Sequence, residues 1–164
     1  AFSVLITQED SLLGYYARFG YEPRLCMEMM PFSYTEPAAF CNCRKAVQED
    51  IAALDGLYRA ATENMLCGYR DEAFWKRQLE LFAEGVWVQE TNGQITAYAF
   101  MDERGVLEAM GPEAHLLCGR IVPGEAWRSV PRKNGHPMGS IKPLTEEFRQ
   151  IMEQNHCYLN LMYN

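Results

Sequence analysis

The chain has 164 residues, 48% hydrophobic and 23% charged, the balance of a folded globular protein, which excludes wholesale disorder. Its formal net charge of −7 repels phosphate backbones and argues against a nucleic-acid partner. No apolar run approaches the roughly 20 residues of a membrane-spanning helix.

The start, Ala1 to Asp10, has no basic segment of the secretory kind. A cytoplasmic protein without a membrane partner is the expectation. The chain also opens, without Met, directly on the strand-like Phe2-Ser3-Val4-Leu5-Ile6, which predicts further sequence upstream of Ala1. The six cysteines are sparse for a disulfide framework, so reduced thiols are expected. Cys41 and Cys43 would share one face of a strand. His115, His136 and His156 are scattered without zinc-type spacing, and no metal site is predicted.

In chain order, residues 2–7 read as a strand. Gln8, Glu9, Asp10 and Ser11 supply helix-start chemistry, and a helix follows over 11–19, with Leu12, Leu13, Tyr16 and Phe19 on one stripe. Gly20 stops it. Residues 21–30 read as a strand interrupted by Pro23. The proline-rich stretch 31–37 is the best linker candidate.

Beyond it, residues 40–46 read as a strand. Residues 48–64 read as a helix burying Ile51, Leu54, Leu57, Tyr58 and Ala61. A second helix over 71–84 is capped by Asp71, with Phe74, Trp75, Leu79 and Phe82 inward. Residues 86–90 and 94–100 form a hairpin across Asn92-Gly93, and 106–110 adds a third strand. A short helix over 112–122, two strands within 125–143, a helix over 145–154 with Thr145 at its start, and a strand over 157–163 complete the reading.

The twelve glycines contain no Gly-x-Gly pair, so neither a dinucleotide fingerprint nor a Walker loop is present. Gly-x-Ser-x-Gly is absent too, and a serine triad is unsupported. His115 reads as structural. Arg120, Arg128, Arg132 and Lys133 read as a solvated basic set.

One segment carries more. A strand, a short helix, Tyr16-Ala17-Arg18-Phe19-Gly20 and the aromatic Tyr21 follow in that order. This order resembles the late part of the GCN5-related N-acetyltransferase (GNAT) fold, where a helix ends in a tyrosine, three residues and glycine. The elements after residue 38 resemble the opening of a second such unit. There Gly93-Gln94-Ile95-Thr96-Ala97-Tyr98 is similar to a Gly-x-Ile-x-Gly-Tyr pattern, with Ala97 replacing the second glycine.

The resemblance implies an α/β fold, a mixed and mainly antiparallel sheet with helices on both faces. It implies the tail of a first GNAT domain over 1–30, a linker over 31–37, and a degenerate second GNAT-like domain over 38–164, as in the tandem, Eis-like branch. It also implies an N-acetyltransferase that moves acetyl from acetyl-CoA to a primary amine, with Tyr16 as the general acid toward the departing thiolate. The family's pyrophosphate signature, Gln/Arg-x-x-Gly-x-Gly/Ala, does not follow Met110, where Gly111-Pro112-Glu113-Ala114-His115 stands instead. That loop is expected upstream of Ala1. The other reading is a non-catalytic module that shapes an acceptor pocket or a homo-oligomer interface.

Overall fold

The computed structural model describes residues 1–7, 9–32, 41–103, 105–122, 126–131 and 135–159. The strands are β1 (Phe2–Ile6), β2 (Glu22–Phe32), β3 (Cys41–Lys45), β4 (Met65–Cys67), β5 (Val86–Thr91), β6 (Gln94–Asp102), β7 (Gly105–Met110), β8 (Ala126–Pro131), β9 (His136–Pro143) and β10 (His156–Tyr158). The helices are α1 (Asp10–Ala17), α2 (Ile51–Ala61), α3 (Glu72–Leu81), α4 (Ala114–Ile121) and α5 (Glu146–Gln154), and a 3₁₀ turn (Gln48–Asp50) precedes α2. Two compact units result. One gathers Ala1–Glu28, Asn64–Gly68 and Pro131–Asn164, and the other gathers Met29–Glu63 and Tyr69–Val130.

In the first unit the strands run in the order β1-β9-β2-β10-β4. β9 is antiparallel to both β1 and β2, and β10 is parallel to both β2 and β4. Pro23 lies within β2 rather than breaking it. It falls where the β2–β9 register shifts between Glu22 and Leu25, an irregularity at which a residue without an N–H is tolerated. Alternation gives the sheet two faces. Phe2 and Ile141 face α5, where Phe2 meets Phe148 edge-on at 5.1 Å and Leu25, Ile141, Met152 and Cys157 form the core. Ser3 and Lys142, registered across β1 and β9, face α1.

In the second unit the order is β8-β7-β6-β5-β3, antiparallel except for β8, which joins β7 in parallel at Val106 and Arg128. The predicted hairpin is present, with Asn92 and Gly93 both at positive φ (53° and 76°), the requirement of a type I′ turn. β6 sets both layers by period two. Ala97 and Ala99 pack with Ala109, Leu117 and Cys118 on the α4 side. Tyr98 and Phe100 point the other way, onto Trp75 of α3 at 5.8 and 6.3 Å between ring centroids. Small residues admit a helix close to the sheet, and large ones fill the wider gap under α2 and α3.

Several boundaries differ from the sequence reading. The predicted helix over 48–64 begins as a 3₁₀ turn and ends at Ala61. Asp50 takes a bidentate bond from Arg44 (2.7 and 2.9 Å) and the Val47 N–H (2.8 Å), which tightens the first turn. Residues 65–67, between the two predicted helices, form β4, because β10 supplies a partner strand. Asp71 caps α3 as expected, accepting the Phe74 N–H at 2.7 Å. The starts of α1 and α5 carry no side-chain cap, so neither the acidic run before Ser11 nor Thr145 acts as one. Residues 33–37 of the proposed linker and 160–163 of the last predicted strand lie outside the described residues.

The deepest feature of the second unit is polar. Arg70, 2% exposed, makes a bidentate pair with Glu108, 1% exposed, at 2.7 and 2.9 Å. Tyr98 donates its hydroxyl to the same carboxylate at 2.8 Å. The guanidinium also lies 3.8 Å from the Tyr58 ring centroid. Breaking a buried pair strands the surviving charge, at a cost of about 3–5 kcal/mol. Glu108→Ala is therefore expected to lower unfolding stability by roughly that amount in urea titrations. The double variant Arg70→Met/Glu108→Leu, which strands no charge, should lose less than Glu108→Ala alone.

Candidate functional site

Tyr16 sits in the last turn of α1. The helix ends because Gly20 takes φ +82°, a conformation side chains rarely adopt, and Tyr21 N–H turns back onto the Tyr16 carbonyl at 3.3 Å. Tyr15 is 51% exposed whereas Tyr16 is half-buried, so the two adjacent tyrosines face different ways, as a 100° step per residue requires. The Tyr16 ring meets Tyr15 at 5.3 Å and Tyr21 at 6.0 Å. Its hydroxyl makes no hydrogen bond among the described residues, which leaves a phenol able to donate. Tyr21, by contrast, shares a 2.7 Å hydrogen bond with Ser3.

A separate cleft of about 300 Å³ in the first unit is lined by Glu22, Arg24, Cys26, Asn155, His156 and Cys157. Glu22 lies between Arg24 (2.9 Å) and Arg149 (3.0 Å). Burial pushes the thiols of Cys26 and Cys157 up, with nearby Arg24 only partly opposing it, so both stay protonated at neutral pH. Such thiols are poor nucleophiles. Tyr16 does not line this cleft. A second cleft, of about 430 Å³, lies in the other unit beside the starts of α2 and α3, with Asp55, Arg59, Tyr69 and Trp75 among its walls. Trp75 Nε1 donates to Asp55 at 3.2 Å there.

The turn from β7 into α4 follows the third meander strand, where the resemblance looks for a pyrophosphate loop. Gly111 has φ +107° and lies so close to β6 that a Cβ would strike the Thr96 carbonyl. Glu113, at the start of α4, accepts the hydroxyls of Thr91 and Thr96, each at 2.6 Å. Those two bonds hold its carboxyl below the ordinary range, so it is ionised at neutral pH. A helix N-terminus favours an anion. Glu113 is the residue that starts α4; its carboxylate, turned onto Thr91 and Thr96, caps no N–H of the helix, and a diphosphate brought to this turn would meet its charge. These residues do not fit a coenzyme pyrophosphate.

The sequence reading passed over Glu113, Lys142, Arg70 and Glu108. The signal for Glu113 was present as a carboxylate just after the strand that ends at Met110. The other three act through partners dozens of residues away. Among the described residues, Cys26, Cys43, Cys67, Cys118 and Cys157 are in no disulfide. Among the described residues no cluster of three His, Cys, Asp or Glu side chains could hold a metal ion, and no helix is long and apolar enough to cross a membrane.

No protein-family model matches this chain, and neither does any curated protein sequence. Solved structures do. A GCN5-related N-acetyltransferase from Kribbella flavida aligns with a TM-score of 0.56 at 13% identity, over 85% of this chain and 42% of its own. Another, from Sphaerobacter thermophilus, aligns with a TM-score of 0.46 at 12% identity, over 81% of this chain and 51% of its own. The chain thus spans about half the length of the structures it matches. Its fold is GNAT-like: a mixed, mostly antiparallel α/β arrangement with helices on both sheet faces.

The depressed carboxyl of Glu113 gives a pH signature. A group whose folded value lies below its unfolded value, about 4.3 for Glu, contributes stability that is complete above the unfolded value. That contribution is lost as pH falls through the folded one. Glu113→Gln should be less stable than the parent near neutrality, and the difference should shrink below about pH 4.3. Thermal melts from pH 7 to pH 3 check this.

Proposed function

We propose that this chain is part of an N-acetyltransferase that moves acetyl from acetyl-CoA to a primary amine. The observation that carries the reading is Tyr16 at the end of its helix, three residues before Gly20, in a chain whose fold is GNAT-like. In this reading Tyr16 Oη donates its proton to the thiolate that leaves when a neutral amine attacks the acetyl thioester. Its half-buried ring supports that choice over the exposed Tyr15. Residues 1–30 are then the tail of a first GNAT domain whose pyrophosphate loop lies upstream of Ala1. Residues 31–37 are a linker, of which Pro31 and Phe32 still belong to β2, and 38–164 are a degenerate second domain whose segments 64–68 and 131–164 pack with the first, in the manner of tandem, Eis-like proteins. A cytoplasmic setting accords with the free thiols.

For residues 38–164 taken alone, a non-catalytic role is favoured by one observation, the Glu113 carboxylate at the start of α4. That module would shape the acceptor pocket or a homo-oligomer interface.

Two measurements test the reading. General acid catalysis is typically worth about 10²–10⁴-fold. In the full-length enzyme, assayed with a panel of simple primary amines, Tyr16→Phe should lower kcat at least roughly tenfold. KM for acetyl-CoA should change little, and Tyr15→Phe should be tolerated. If both variants turn over normally, this helix has no catalytic part. The 164-residue chain alone should bind acetyl-CoA weakly or not at all in calorimetry. A dissociation constant below about 1 μM (roughly −8 kcal/mol) would sink that expectation.

A further inference from the structure

α1 is a poor candidate for holding a catalytic side chain still. It has eight residues, none of them buried, and no basic residue in its last turn. Helices this short are marginal unless something outside them supplies order. Two large side chains near its end, Tyr15 and Phe19, are 51% and 53% exposed, so packing anchors it little.

What orders its C-terminal turn comes from two strands. Lys142 of β9 is registered opposite Ser3 of β1, so both side chains stand on the α1 face of the sheet. Lys142 Nζ donates to the Phe19 carbonyl at 2.7 Å, just beyond the helix end. Its stem runs beside Gly20, where a Cβ would lie 3.6 Å from Lys142 Cε. Its ammonium is 5.7 Å from the Tyr21 ring centroid. Ser3 Oγ bonds the Tyr21 hydroxyl at 2.7 Å. Tyr21 in turn reaches Tyr16 twice, through its N–H to the Tyr16 carbonyl (3.3 Å) and ring against ring (6.0 Å). A cation at a helix C-terminus also meets the negative end of the helix dipole.

We propose that Lys142 is a positioning residue for Tyr16. With Ser3, it clamps the Phe19-Gly20-Tyr21 turn and so fixes where the Tyr16 phenol points. The catalytic half of this statement rests on the general-acid reading of Tyr16; the clamp itself rests on the contacts alone.

The test follows amide exchange by NMR in the 164-residue chain, and kcat in the full-length enzyme with the best amine of the panel. In Lys142→Met, exchange at the Tyr21 amide should accelerate by roughly tenfold or more, the scale of a lost charge-assisted hydrogen bond. Amides of β5 and β6 should keep their parental rates. Lys142→Arg, which keeps a cationic donor, should restore slow exchange. Ser3→Ala should move Tyr21 in the same direction by less. In the enzyme, Lys142→Met should lower kcat without changing KM for acetyl-CoA, and Lys142→Arg should recover most of it.

Parental Tyr21 exchange and kcat in Lys142→Met, alongside an impaired Tyr16→Phe, would overturn the clamp and leave the general acid standing. Faster exchange throughout the chain would also overturn it, by making Lys142 a general stability residue. An unimpaired Tyr16→Phe with fast Tyr21 exchange in Lys142→Met would remove the catalytic reading and uphold the clamp. If Lys142→Met does not fold, Ser3→Ala and Lys142→Arg decide: parental Tyr21 exchange in Ser3→Ala refutes the clamp.

Discussion

The second unit is organised around a charge that water cannot reach. Taking a guanidinium and a carboxylate out of water costs several kcal/mol each, so such a pair persists only with excellent geometry and further hydrogen bonds. Arg70 and Glu108 have both: a two-point contact, a phenol donating to the carboxylate, and an aromatic face against the cation. Each partner comes from a different part of the unit. Arg70 precedes the Asp71 cap of α3, Glu108 is on β7, Tyr98 is on β6 and Tyr58 is on α2. A slip of one residue in β7 would turn Glu108 to the α4 side and put a lone carboxylate among alanines. The pair therefore selects a register as well as holding two helices to a sheet.

Burial also shows why Glu108 is unsuited to chemistry of its own. A general base must reach the proton it removes. Both oxygens of Glu108 are engaged, one with Arg70 and Tyr98 and the other with Arg70, and the side chain is 1% exposed. The arrangement reads as a structural joint.

Much of this architecture was legible in the sequence, for reasons that are local. Asn92-Gly93 between alternating strands can hardly be anything but a tight hairpin, and Ala97-Tyr98-Ala99-Phe100 declares its two faces by size. Asp71 announces the start of α3 because its carboxylate needs only the N–H three residues on. What was not legible is non-local. β4 has three residues and exists because β10 pairs with it about 90 residues later. The 3₁₀ start before α2 depends on Arg44 reaching Asp50 across a turn. Tyr16 could be picked out by spacing, but Lys142, which reaches the turn after it, is separated from Phe19 by 123 residues. Thr145 shows the opposite error, a capping residue type in the right place whose side chain makes no cap.

The β7–α4 turn is held to the β5–β6 hairpin by a carboxylate of its own. A helix N-terminus has unpaired N–H groups and a partial positive charge, and something negative is stabilising there. A ligand can supply it from outside, or the chain can supply it from within. Glu113 starts α4 but caps none of its N–H groups; its carboxylate is held by the Thr91 and Thr96 hydroxyls, donors no longer open to a phosphate. Gly111 adds to this hold: its backbone is pressed onto β6, where a Cβ would strike the Thr96 carbonyl. Opening this turn to a ligand would need more than removing the carboxylate. The turn would have to lift off Thr96, and that movement breaks packing which now helps to hold α4 against the sheet.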